Sequence, residues 1–188
     1  MIIGLSGYAR SGKDTVANFL VENHGFTRLS FAEPMREALL RLNPTITVAG
    51  VQGVVLSSVV KSLGWERLKE LSPDVRGLLQ RLGTEVGREM FGENFWVDYL
   101  INKALDIKGS VVISDVRYLN EADSIKLMNG QIWRVNRPNV EAANSHPSEI
   151  EMDSFNNFDV VITNDTSLDE LFLELTGLMN GITSHNGS

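Results

Sequence analysis

The chain has no cysteine among its 188 residues. That excludes a disulfide framework and any thiolate-bound metal, and it accords with a reducing compartment. No apolar run approaches the ~20 residues of a membrane-spanning helix. The first residues already read as a strand, so no signal peptide is expected and the protein should be cytoplasmic. Positive charge is in deficit: 17 Lys and Arg stand against 24 Asp and Glu, a net charge of −7. Such a balance argues against charge-driven binding to a nucleic-acid polymer, while leaving room for a few arginines to converge on a small anion. Internal repeats and linkers are also missing. One α/β domain over residues 1–179 is therefore expected, with a frayed polar tail over 180–188.

What the chain does have is the stretch Gly7-Tyr8-Ala9-Arg10-Ser11-Gly12-Lys13-Asp14-Thr15. It follows an apolar run, Ile2 to Leu5, and leads into Val16, Phe19 and Leu20 at helical spacing. Strand, glycine-rich turn and helix form the setting of a phosphate-binding P-loop. Glycine lets the backbone wrap an anion without a Cβ in the way. The helix start adds N–H groups and partial positive charge. Lys13 supplies the point charge. The residue after this lysine is usually Ser or Thr, whose hydroxyl binds Mg²⁺; here it is Asp14, with Thr15 next. An acid in an anion-binding turn needs a metal or an arginine to neutralise it. Either Asp14 holds Mg²⁺, or Thr15 does and Asp14 turns outward.

Further on, Thr27 to Phe31 reads as a strand, and Pro34 suits the first turn of a helix with Met35, Ala38, Leu39 and Leu42 inward. Arg36 would stand near the carboxyl end of that strand, where open parallel sheets bind ligands. Residues 43–63 read equally as strand, loop or insertion. Ser72-Pro73 marks a helix start, Ser as N-cap, for a helix burying Leu78, Leu79, Leu82, Val86 and Met90. Gly83 and Gly87 on it favour tight helix packing. Trp96 to Leu105 reads as another helix, with Phe95 and Trp96 as part of a base pocket or of the core.

Ser110 to Asp115 is the most strand-like segment. An apolar run ending in aspartate, in a chain with a P-loop, reads as the Walker B strand, with Asp115 orienting the Mg²⁺ shell and Arg117 in reach of a phosphate. Asn120-Glu121 opens a helix carrying Ala122, Ile125 and Met128. Gln131 to Val135 is the next strand, flanked by Arg134 and Arg137. The polar residues 138–157, including His146 and Glu149, are too long for an idle connection and read as a lid. Phe158 to Thr163 is the last strand, and Ser167-x-x-Glu170 is a capping box for a helix with Leu168, Leu171, Leu175 and Leu178 inward.

These segments resemble the deoxynucleoside monophosphate kinase family, known chiefly from phages. The Gly-Lys-Asp-Thr ending of the P-loop carries the likeness, with Phe31-Ala32-Glu33-Pro34-Met35-Arg36, Leu78 to Glu85, Ile113 to Glu121, Arg134 to Pro138, His146 to Glu149 and Asn164-Asp165. The resemblance implies a three-layer α/β/α P-loop kinase fold with a five-stranded parallel sheet in the order 2-3-1-4-5. It implies transfer of the ATP γ-phosphoryl group to a deoxynucleoside monophosphate (dNMP), with ATP and Mg²⁺ bound. Gly7, Arg10, Ser11, Gly12, Lys13, Asp14 and Thr15 would hold the donor phosphates, and Asn164 would lie near the adenine. Arg36, Arg81, Glu85 and Arg88 would border the acceptor with Trp96 and Asp115. Lys13, Arg117 and Arg137 would act on the transferred group, while Asp14, Thr15 and Asp115 are the metal candidates. Because phage members of the family are dimers, a homodimer is implied too.

The chemistry is consistent with that set. A phosphate acceptor is already ionised at neutral pH, so no general base is needed, only aligned cations and exclusion of water. Two other readings share the P-loop: a different small-molecule kinase, such as phosphomevalonate kinase, and a nucleotide-binding switch without phosphoryl transfer.

Overall fold

Ile2–Ser6 is apolar or small throughout, which suits a strand covered on both sides, and it forms β1. In chain order the remaining strands are β2 (Thr27–Leu29), β3 (Thr45–Val48), β4 (Val51–Val55), β5 (Val111–Ile113), β6 (Gln131–Asn136) and β7 (Val160–Thr163). The structure, a computed structural model, describes residues 1–185. It divides into two compact units, Met1–Leu29 with the chain from Lys103 onward, and Ser30–Asn102.

The first unit holds a parallel five-stranded sheet in the order β2-β5-β1-β6-β7. Counted without the separate β3–β4 pair, this is the order 2-3-1-4-5. Helix α1 (Lys13–His24) buries Val16, Ala17, Phe19 and Leu20. Together with Leu171, Leu175 and Met179 of the last helix they cover the face that bears Ile3, Leu5, Val112, Trp133, Val135 and Ile162. The opposite face is so closely packed that a Cβ on Gly4 would meet Ile125, Ile132 and Val116 within 3 Å. Ile125 belongs to α6 (Leu119–Leu127), so the sheet lies between two helical layers. Parallel β-α-β crossovers place the loops that leave β1 and β5 at the same sheet edge, the carboxyl ends of adjacent strands.

The second unit contains α2 (Ala32–Leu42), the β3–β4 hairpin, α3 (Leu56–Leu71), α4 (Pro73–Arg81) and most of α5 (Phe95–Leu105). Residues 43–63, ambiguous in sequence, thus become a hairpin and the start of α3; its turn, Ala49-Gly50, takes positive φ at both positions. Leu39, Ile46, Leu56, Leu68 and Val75 form a core of their own. Between α4 and α5, Leu82–Met90 winds as a π-helix, a local widening the hydrophobic spacing did not foretell. As expected, Gly83 and Gly87 permit close packing: a Cβ on Gly87 would lie 2.0 Å from Trp96 Nε1, and that nitrogen donates to the Gly83 carbonyl at 2.9 Å.

Several expectations are corrected. β2 stops at Leu29 rather than Phe31, because Phe31 already turns into α2. Leu42 and Met90, both 71% exposed, and Leu168, 60% exposed, lie outside the buried stripes assigned to them. Ser72 precedes α4 but makes no capping bond, and its hydroxyl is buried without a partner. The final helix, α8 (Leu168–His185), continues into the segment expected to fray; residues 186–188 lie outside the described residues. Its capping box is present: Ser167 N–H donates to Glu170 Oε2 at 3.1 Å, and Glu170 N–H to Ser167 Oγ at 3.4 Å.

Candidate active site

The Gly7–Thr15 turn follows β1 and opens α1. Gly7 (φ 139°) and Gly12 (φ 106°) take backbone conformations that side chains disfavour. A Cβ on Gly7 would stand 2.3 Å from the Val135 carbonyl oxygen, so glycine is required there by space as well. Lys13 curls back over the turn, Nζ donating to the carbonyls of Gly7 at 2.6 Å and Tyr8 at 2.7 Å. The first N–H groups of a helix have no partner within it, and here that first turn begins at Lys13. Ser11 Oγ is buried and unpartnered. A cationic, donor-rich hollow with an orphaned hydroxyl fits a bound polyphosphate chain.

Burial, and then the nearby Arg117 guanidinium, push the Lys13 pKa down to about 8, against the pull of Asp14, Asp115 and Glu149. For Arg117 burial works against the charge, yet Glu149 and then Asp115 outweigh it and hold the pKa above the ordinary arginine value. Lys13, Asp115 and Arg117 therefore act on one another's charge. Arg117 Nη1 donates to Glu149 Oε1 at 3.1 Å and to the Ser148 carbonyl at 3.0 Å. Glu149, only 4% exposed at its side chain, lies on the short helix α7 (Pro147–Ile150). His146 caps that helix, its Nδ1 accepting from Ser148 N–H.

Asp14 is turned outward, 75% exposed, and forms an ion pair with Arg28. That contact answers the question the sequence posed: an arginine neutralises the unusual acid. Thr15 is half-buried on the same helical turn. Asn164 does not project freely. Its Nδ2 donates to the Ser11 carbonyl at 2.9 Å, which makes it a brace for the turn. Tyr8 is braced as well. Its hydroxyl donates to Asp153 Oδ2 at 2.7 Å, and Arg134, 5.1 Å from the Tyr8 ring, donates to Asp153 Oδ1 at 2.8 Å. The bond to Asp153 raises the Tyr8 pKa. Arg10 is exposed at φ 67°. Arg137 is exposed and, among the described residues, its side chain has no partner.

The remaining candidates belong to the second unit. Arg36 stacks over Trp65 and pairs with Glu66 at 2.8 Å. Arg88 Nη1 donates to the Glu93 carbonyl at 3.0 Å, while Arg81 and Glu85 are exposed. Trp96 is only 7% exposed, its N–H donates to the Gly83 carbonyl, and it packs as core, one of the two readings the sequence left open. Sequence reasoning named Arg134 and quoted Tyr8 within the turn without giving either this bracing role, and it missed Arg28 and Asp153. Arg28 had a signal in the acid at position 14 that demanded a cation, and Asp153 had none.

A sequence model of deoxynucleotide monophosphate kinases matches residues 1–72 and 51–175, nearly the whole chain. The chain belongs to the deoxynucleotide monophosphate kinase family. The kinase is 29% identical, over 99% of its own length and all of the other's, to a protein of Acanthamoeba polyphaga mimivirus provisionally named for the same activity. It is 26% identical to deoxynucleotide monophosphate kinase of Enterobacteria phage T4, covering 93% of this chain and 96% of that one. Among solved structures it is similar to dephospho-CoA kinase from Campylobacter jejuni, with a TM-score of 0.51, 12% identity and 98% of each chain covered. That likeness concerns the P-loop kinase fold alone. Membership of a kinase family on this fold makes the protein an ATP-dependent phosphotransferase. Among the described residues, no helix is long and apolar enough to cross a membrane.

Proposed function

We propose that the kinase transfers the γ-phosphoryl group of ATP to a deoxynucleoside monophosphate in the cytoplasm. A phosphate oxygen of the acceptor forms a bond to the γ-phosphorus, the bond from that phosphorus to the bridging oxygen breaks, and ADP leaves with the electron pair. The acceptor oxygen is ionised at neutral pH, so no base is called for. The observation that carries the reading is the grouping of Lys13, Asp115 and Arg117 around a glycine turn whose shape only glycine permits.

In this reading Lys13 and the amides from Gly7 to Thr15 hold the donor phosphates. Thr15 and Asp115 would hold Mg²⁺, which when bound would neutralise phosphate charge. Arg117 is already positioned by Glu149, and it stabilises charge on the transferred group. Arg137 joins it from the position just before residues 138–157, which act as a lid that excludes water. Arg36, Arg81, Glu85 and Arg88 border the acceptor. The test is a steady-state assay of ATP with a panel of acceptors. Formation of one dNDP per ADP is expected. Turnover of mevalonate phosphate but of no deoxynucleotide would overturn the acceptor assignment, and nucleotide binding without any turnover would point to a switch.

A further inference from the structure

Arg28, on β2, reaches three acceptors on two other elements. Its Nη2 pairs with Asp14 Oδ1, its Nη1 donates to Asn18 Oδ1 at 3.0 Å, and its Nε to Ser114 Oγ at 3.1 Å. Asp14 and Asn18 are four apart on α1 and so share a face. Ser114 directly follows β5, held by its own N–H on the Leu29 carbonyl at 3.0 Å, and precedes Asp115. One planar guanidinium thus ties the first turns of α1 to the strand end that carries Asp115.

Asp14 follows Lys13 directly and acts on its charge. Left unpaired, its carboxylate would repel an incoming polyphosphate and compete for Lys13. We infer that Arg28 is a positioning residue for the donor phosphates: it neutralises Asp14, keeps that carboxylate outside the turn, and sets the helix start against Asp115. This rests on the donor site proposed above. A lysine could supply the charge but not three directed donors, because its ammonium is a point charge on a flexible stem.

The experiment is titration calorimetry of Mg²⁺-ADP with the full chain and four variants. R28M is expected to weaken ADP binding about tenfold in the parent background and less than twofold in the D14N background, with R28K intermediate. An equal loss in both backgrounds, or no loss in either, overturns the inference, since a plain structural strut would not be relieved by D14N. Should R28M fail to fold, R28K in the two backgrounds carries the same comparison. A parent protein that binds no ADP removes the donor-site reading and this inference together, a result none of the variants alone can mimic.

Discussion

The side-chain amide of Asn164 donates to the Ser11 carbonyl at 2.9 Å, joining the turn after β7 to the P-loop across 153 positions. A Cβ on Gly12 would stand 2.2 Å from that same amide nitrogen, so brace and glycine fit as a pair. Asn164→Ala should raise the KM for ATP by about three- to tenfold and cost about 1 kcal/mol, the worth of one such bond. Steady-state kinetics and urea denaturation check both. A KM at the parent value would mean the turn holds its shape without the brace.

Lys13 carries a charge that the fold disfavours until an anion arrives. Its pKa of about 8 lies below the ordinary 10.5. The protonated side chain therefore burdens the folded state below pH 8, and the burden is relieved as pH rises from about 8 toward 10.5. Lys13→Met should stabilise the nucleotide-free protein at pH 7 by up to roughly 3 kcal/mol, with the gain shrinking toward pH 10. The same substitution should cut turnover by orders of magnitude. Denaturant melts at the two pH values test the sign, and a gain that grew with pH would refute it.

Glu149 offers Arg117 a nearly buried carboxylate at 3.1 Å. Removing it leaves the guanidinium with the Ser148 carbonyl and the field of Asp115. Glu149→Ala should cost about 1–3 kcal/mol, reduced from a fully buried pair because the arginine is 37% exposed. Thermal melts in low and high salt measure it. A neutral effect would show that Arg117 is held by its other contacts.

In the second unit, Gly87→Ala forces a methyl group to within 2.0 Å of Trp96 Nε1. The indole must shift and loosen its bond to the Gly83 carbonyl, at a cost of about 1–3 kcal/mol. A red shift in tryptophan emission together with a lowered melting temperature is the expected outcome. An unchanged spectrum would place the packing elsewhere.

The features legible in the sequence were those whose cause is local. The Gly7–Thr15 turn, the Ser167–Glu170 capping box and the apolar strands at 2–6 and 111–113 each arise from residues within a few positions of one another. The width of a buried helical stripe was less legible. Leu42, Met90 and Leu168 keep the helical spacing yet face solvent, because spacing names a side of the helix and the neighbouring elements set how far it is covered. The π-helix at 82–90 was hidden for the same reason: residue type alone does not distinguish a widened turn from an α-helical one.

From residue order alone came the anion-binding turn, the aspartate shortly after the third sheet strand and the family to which the chain belongs. Only the folded chain determined which charges meet. Asp14 and Arg28, Arg117 and Glu149, Asn164 and Ser11 are 14, 32 and 153 positions apart. No spacing rule links them. They come together because parallel crossovers bring distant strand ends to one edge of the sheet, and there Asp14 meets the guanidinium of Arg28.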